Sequence, residues 1–319
     1  MQNRIIHIII PTIVALLFAT VVGCMVWNST SIAIATHPTM VVGWELPQIE
    51  STYTALLLNN LFVILAAILL TFIASHYRLV KETSLLPMMF FTLFQLLSPS
   101  LINQYETANI TTIVVLFLIS ILYTCYQENH TTNKGFLIAL MLSIISFIEP
   151  HILYLLPIFI LGFVQMQAAS LRTFAAMIIG LITPYWIICG WGILEWDQLN
   201  FDSLSISLQW PPIGLYLLPI AAVILLGFVS GTSNLYNALN EKIHTRATNG
   251  FINILSIYIT LLMLIDNAHC NFYLPILNSC VALQLTFTFS INTKRMSHIL
   301  FYMLAILLTA WVIYTYWVY

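Results

Sequence analysis

Charge is scarce in this chain. Its 319 residues include 9 Lys and Arg and 11 Asp and Glu, and charged side chains make up only 6%. Soluble domains carry about 25%. The shortfall excludes an ordinary soluble globular protein, and no polar stretch is long enough to fold as a separate soluble domain. The five cysteines, Cys24, Cys125, Cys189, Cys270 and Cys280, show neither CxxC nor zinc-finger spacing. They read as small apolar residues. There is no low-complexity tract and no internal repeat, so an inverted-repeat transporter has no support in the pattern. The first apolar run follows Arg4 as a signal peptide would, but it lacks an A-x-A-like cleavage site. It is expected to stay as the first span. N-x-[ST] sequons begin at Asn28, Asn109 and Asn129, a number near chance that carries no weight.

What fills the chain instead is apolar. Hydrophobic residues reach 61% and the mean hydropathy is +0.97. A spanning helix needs roughly 20 apolar residues. Apolar runs lie at 5–27, 54–74, 84–102, 109–126, 136–148, 152–166, 174–194, 211–230, 251–267, 272–291 and 298–317. The expected fold is therefore all-α, a single integral membrane domain over 1–319 with about 11 segments. Two of them, 136–148 and 152–166, are short.

The basic residues orient this bundle. With the N-terminus in the cytoplasm and the segments alternating, Arg4, Arg78, Lys81, Lys134, Arg172, Lys242, Arg246, Lys294 and Arg295 all fall inside. That satisfies the positive-inside rule and puts the C-terminus outside. The acids divide the other way. Glu82, Glu128 and Glu241 lie inside, while Glu45, Glu50, Glu106, Glu149, Glu195, Asp197, Asp202 and Asp266 lie outside or near the outer surface, with His37, His151 and His269. A solvated face depleted of cations explains much of this. Two outer loops, 28–53 and 195–210, mix acids with aromatics; Trp44, Trp196 and Trp210 suit an interfacial belt. The inner loop 232–250 reads as a polar connector, partly helical.

The stretch "SIISFIEPHILYLLPIF" (143–159) sets an acid and an imidazole between two short apolar runs. Thirteen residues of helix cover only about 20 Å of a hydrocarbon core about 30 Å thick. Two readings follow. At the surface, Pro150 starts the second helix at its first turn and Glu149 faces the positive end of the dipole. At depth, Glu149 and His151 line a protein-walled or water-filled cavity. Other polar residues read first as packing groups. Asn59, Asn60, Asn278 and Gln284 are expected to hydrogen-bond across helices. Thr183-Pro184-Tyr185 is expected to kink the seventh segment. Asp266-Asn267-Ala268-His269 reads as a polar turn, whose spacing would make a metal pair only on a helix.

The segment "NKGFLIALMLSIISFIEPHILYLLPIFILGF" (133–163) resembles the central hairpin of GT-C-type membrane glycosyltransferases: a basic inner loop, a short Gly-initiated helix, a polar-Pro turn and a returning helix with a second Pro. "TANITTIVVLFLISILYTCYQEN" (107–129) fits the preceding helix, and "LRTFAAMIIGLITPYWI" (171–187) is similar to a segment of an uncharacterised bacterial inner-membrane family of the same layout. The resemblance covers about residues 1–195 as a module, with 196–319 as additional C-terminal helices.

It implies an enzyme of envelope glycan or lipid assembly in the bacterial inner membrane, taking a sugar from a polyprenyl-phosphate carrier at the outer face. An acid of the first outer loop then serves as base or metal ligand, which points to Glu45 and Glu50 in "GWELPQIESTYTALLL" (43–58). Transfer needs a carboxylate to take the acceptor's proton. A divalent metal on Glu45, Glu149 and His151 would offset the phosphate's charge. Glu149, His151, Asn59 and Asn60 are the candidate substrate-binding residues. The chain departs from the pattern in three ways. It offers no Lys or Arg outside, no adjacent acid pair in the first outer loop, and no large extramembrane domain. A non-catalytic scaffold that binds membrane lipids or a membrane protein partner is therefore an equal expectation. A secondary transporter is a third, and no nucleic acid is expected.

Overall fold

The computed structural model describes residues 8–28, 52–77, 79, 84–103, 107–128, 130–192, 217–238, 241–291 and 295–318. Every regular element among them is helical. In chain order they are α1 (Ile10–Asn28), α2 (Thr52–His76), α3 (Leu86–Leu96), α4 (Thr107–Thr124), α5 (Thr132–Ser146), α6 (Leu156–Gln165), α7 (Leu171–Gly190), α8 (Leu217–Ala238), α9 (Ile243–Ile265), α10 (Cys270–Ile291) and α11 (Arg295–Val318). A one-turn helix at Pro99–Asn103 and two 3-10 turns, Pro150–Leu155 and Asn267–His269, complete the set.

Among the described residues, seven helices are long and apolar enough to cross a membrane: Tyr53–His76, Thr107–Thr124, Leu171–Gly190, Leu217–Asn237, Ile243–Ile265, Asn267–Ser290 and Ser297–Tyr316. Four apolar helices are shorter: Ile10–Gly23, Leu86–Leu96, Thr132–Ser146 and Pro150–Gln165. The chain is an integral membrane protein. Its outer helices turn Ile178, Trp186, Phe228, Met303 and Ile306 outward, as helices facing lipid do. The polar stretch 232–250 is mostly helix where it is described. α8 runs on to Ala238 and α9 begins at Ile243, because Ala247, Thr248 and Asn249 are themselves buried.

α10 is the hub. Its apolar window is 89% buried, against 22% for α11. It packs against α3, α4, α8 and α9, and polar side chains tie it there. Gln284 Nε2 donates to Asn253 Oδ1 (2.9 Å) and Ser256 Oγ (2.8 Å) of α9, and Ser230 Oγ of α8 lies 3.3 Å from its Oε1. Asn234 of α8 donates to the Gln284 carbonyl at 3.0 Å. Gln284 thus bonds across helices as its sequence context suggests. Gln284→Leu is expected to lower stability by about 1–2 kcal/mol, since Asn253 and Ser256 lose a partner inside the bundle. Unfolding in mixed micelles checks this; a loss below a few tenths of a kcal/mol would show that the network carries no energy.

The other amides differ from expectation in part. Asn59 Nδ2 reaches Leu101 O (2.8 Å) and Ile102 O (3.1 Å), and Asn109 Nδ2 donates to Asn59 Oδ1 (2.8 Å). Asn59 therefore holds the irregular chain after α3, where Pro99 interrupts the apolar run 84–102. Among the described residues Asn60 Nδ2 bonds only the Leu56 carbonyl of its own helix (2.8 Å) and its buried Oδ1 has no partner, so the amide does not bridge helices. Asn278 is fully buried, and its amide has no partner among the described residues. α7 continues through Pro184 to Gly190.

Candidate functional site

Two helix–helix turns of like construction meet at one end of the bundle. In the first, α5 ends and Glu149 takes an extended conformation (φ −137°, ψ 95°). Pro150 then opens a 3-10 helix that carries His151. Proline suits that first position because its missing N–H is not needed there. In the second, α9 ends at Asp266 (φ −116°, ψ 68°), the 3-10 turn Asn267–His269 follows, and α10 starts at Cys270. Each turn places an acid just ahead of an imidazole.

Each acid holds its own imidazole. Glu149 Oε1 lies 2.7 Å from His151 Nδ1, and Asp266 Oδ1 lies 2.9 Å from His269 Nδ1. The two pairs then join. The His151 and His269 rings lie 3.8 Å apart between centroids at 31°, and His151 Nε2 is 3.8 Å from Asp266 Oδ2. The second oxygen of each acid is also held. Thr107 Oγ1 of α4 donates to Glu149 Oε2 at 2.8 Å, and the Tyr273 hydroxyl of α10 donates to Asp266 Oδ2 at 3.3 Å. Tyr154 and Phe272 flank the His151 ring. The whole centre draws on α4, α5, α9, α10 and the two turns.

His151 is 0% exposed, Asp266 1% and Glu149 5%; only His269 reaches the surface, with 27% of its side chain exposed. Glu149 makes no cap bond to the helix that it precedes. The Glu149-Pro150-His151 turn is thus enclosed by protein. The carboxylate is turned into the bundle and is spent on His151 and Thr107. Lys134, Lys242 and Arg246 sit at the opposite ends of α5 and α9 from the two turns, about 20–35 Å away along the helices.

Among the sequence-derived candidates, the fold brings Glu149 and His151 together. Asn59 lies at the same end, joined to Asn109 in the first turn of α4, two residues from Thr107. Asn60 is engaged within α2. Glu45 and Glu50, with His37, Glu195, Asp197, Asp202 and the three loop tryptophans, lie outside the described residues. What the sequence reading missed is the union of residues 149–151 with 266–269, more than a hundred positions apart. The Asp266–His269 spacing was allowed as a pair only on a helix, yet a 3-10 turn also brings the two into contact. The available signal was the repeated order of an apolar helix, an acid and an imidazole at two segment ends. The cavity between α6 and α7 is a different feature. It is lined by Leu156, Ile160, Phe174, Met177, Ile178 and Leu181, and holds none of the four centre residues.

No protein-family model, no curated protein and no solved structure matches this chain.

Proposed function

We propose that the chain is a GT-C-like membrane protein of cell-envelope assembly in a bacterial inner membrane. In this reading about eleven segments cross or enter the bilayer, the N-terminus is cytoplasmic, and the acid–imidazole end faces outward. There the protein transfers a sugar from a lipid-phosphate donor to an acceptor hydroxyl. The hydroxyl oxygen bonds to the anomeric carbon as the carbon–phosphate oxygen bond breaks. The lipid phosphate leaves with the electron pair, and Glu45 or Glu50 takes the hydroxyl proton.

One observation supports the reading above the others. Four ionisable side chains converge at one end of a bundle in which charge is otherwise rare, and three of them are buried. Such groups inside a membrane protein are costly, and they mark working sites more often than structural ones. A scaffold that only bound a partner would be as well served by apolar packing there.

The test uses the purified full chain in nanodiscs, with radiolabelled polyprenyl-phosphate hexoses and pentoses as donors and a membrane lipid extract as acceptor. Release of free polyprenyl phosphate is expected, and Glu45→Gln or Glu50→Gln is expected to lower it at least a hundredfold. If no donor is consumed above a protein-free control, or if both variants turn over like the parent, the transferase reading is wrong and a non-catalytic scaffold replaces it.

A further inference from the structure

We propose that His151, Asp266 and His269 form a binding site for one divalent transition-metal ion of the zinc class, with Glu149 as the residue that orients His151. Three observations carry the proposal. The first is reach. One ligand atom from each of the three residues lies within 4.8 Å of the others. The centre of such a triangle is at most roughly 2.8 Å from every corner, against about 2.0–2.2 Å for zinc bonds to His and Asp. Side-chain rotation of less than an ångström closes the difference.

The second is an orphaned atom. His151 Nε2 is fully buried and has no hydrogen-bond partner among the described residues. Asp266 Oδ2 stands 3.8 Å from it, which is too long for a hydrogen bond. The other nitrogen, Nδ1, is held by Glu149 Oε1 at 2.7 Å, and Glu149 is held in turn by Thr107. A carboxylate on Nδ1 keeps the proton there and leaves the Nε2 lone pair free. That chain of carboxylate, imidazole and open Nε2 is the usual setting of a metal-ligating histidine.

The third is charge. Two buried carboxylates need compensation. Charging both imidazoles would set two cations face to face at 3.8 Å. A single divalent ion offsets both acids and leaves the rings neutral. Two imidazoles and one carboxylate suit Zn²⁺, while Mg²⁺ and Ca²⁺ prefer all-oxygen sites. His269, part exposed, gives the ion a way in, and three protein ligands leave one position open. If the transferase reading holds, that position would meet the donor phosphate. The metal site itself does not depend on that reading.

The test is metal binding by the full chain, purified without a histidine tag, stripped with chelator and titrated with Co²⁺ and then Zn²⁺. One Co²⁺ per chain with a visible ligand-field band is expected, displaced by Zn²⁺ and not by excess Mg²⁺. His151→Asn and His269→Asn should abolish the band. Thr107→Val and Glu149→Gln keep all three ligands and should weaken affinity about 10–100-fold. Glu128→Gln, in the separate Lys134–Glu128 pair, should change nothing. A wild-type chain without the band, or a band that survives His269→Asn, overturns the site. His269 is the least buried of the ligands, so its variant remains a fair test where His151→Asn fails to fold.

Discussion

His151→Ala is expected to destabilise the metal-free protein by about 3–5 kcal/mol, the cost of leaving a buried charged partner uncompensated. The imidazole fills Glu149 Oε1 on one side and stands between that acid and Asp266 on the other. Removing it strands a carboxylate that is 5% exposed and opens a void beneath the His269 ring. The measurement is unfolding in mixed micelles with a chelator present, so that metal affinity plays no part. A second variant separates charge from volume. In Glu149→Gln/His151→Ala the acid is gone as well, and an amide left with Thr107 costs less to bury than a carboxylate. The double variant should therefore be more stable than His151→Ala alone. If His151→Ala costs less than about 1 kcal/mol, the centre is hydrated and the buried-pair argument fails.

Hydropathy made the class of the molecule legible. The runs 54–74, 109–126, 272–291 and 298–317 lie within or against helices Thr52–His76, Thr107–Thr124, Cys270–Ile291 and Arg295–Val318. In a bilayer an apolar run of that length has few other ways to satisfy its backbone. Ends were less legible. α9 starts at Ile243, well before the apolar run at 251, because its polar first turns pack on protein: Tyr123 of α4 donates to the Thr248 carbonyl at 3.1 Å. Half of the site was visible in Glu149-Pro150-His151, since an acid and an imidazole in a nearly chargeless chain attract notice. The other half was not. Asp266 and His269 look like any polar turn until the packing of α9 and α10 against the first turn is known, and no periodicity in one segment encodes that pairing.

Gly180→Ala is expected to lower stability by about 1–3 kcal/mol, the range for forcing a methylene into a packed interface. A Cβ at this position would stand 2.5 Å from the backbone carbonyl oxygen of Phe136, with Ala139 Cβ and the Leu140 nitrogen both at 3.3 Å. A carbonyl in the middle of α5 cannot swing aside as a flexible side chain can, so α7 must move away from α5. Everything else along that contact is built for close approach. Thr131 and Thr173 hydroxyls meet at 2.9 Å, Ser143 Oγ donates to Leu181 O at 2.7 Å, and Ser146 Oγ lies 2.6 Å from the Tyr185 hydroxyl. Ser146 is the last residue of α5, three before Glu149, so separating the helices loosens the turn that carries the acid–imidazole pair. The effect should therefore reach the site, with Gly180→Ala also weakening Co²⁺ binding while touching none of its ligands. Gly23→Ala is the contrast. It lies inside α1 with nothing among the described residues within 4 Å of its added Cβ, and replacing an unconstrained helical glycine should leave stability equal or raise it by about 0.5–1 kcal/mol. If Gly180→Ala instead held or raised stability as Gly23→Ala does, helix propensity alone would govern both and the α5–α7 contact would impose no constraint.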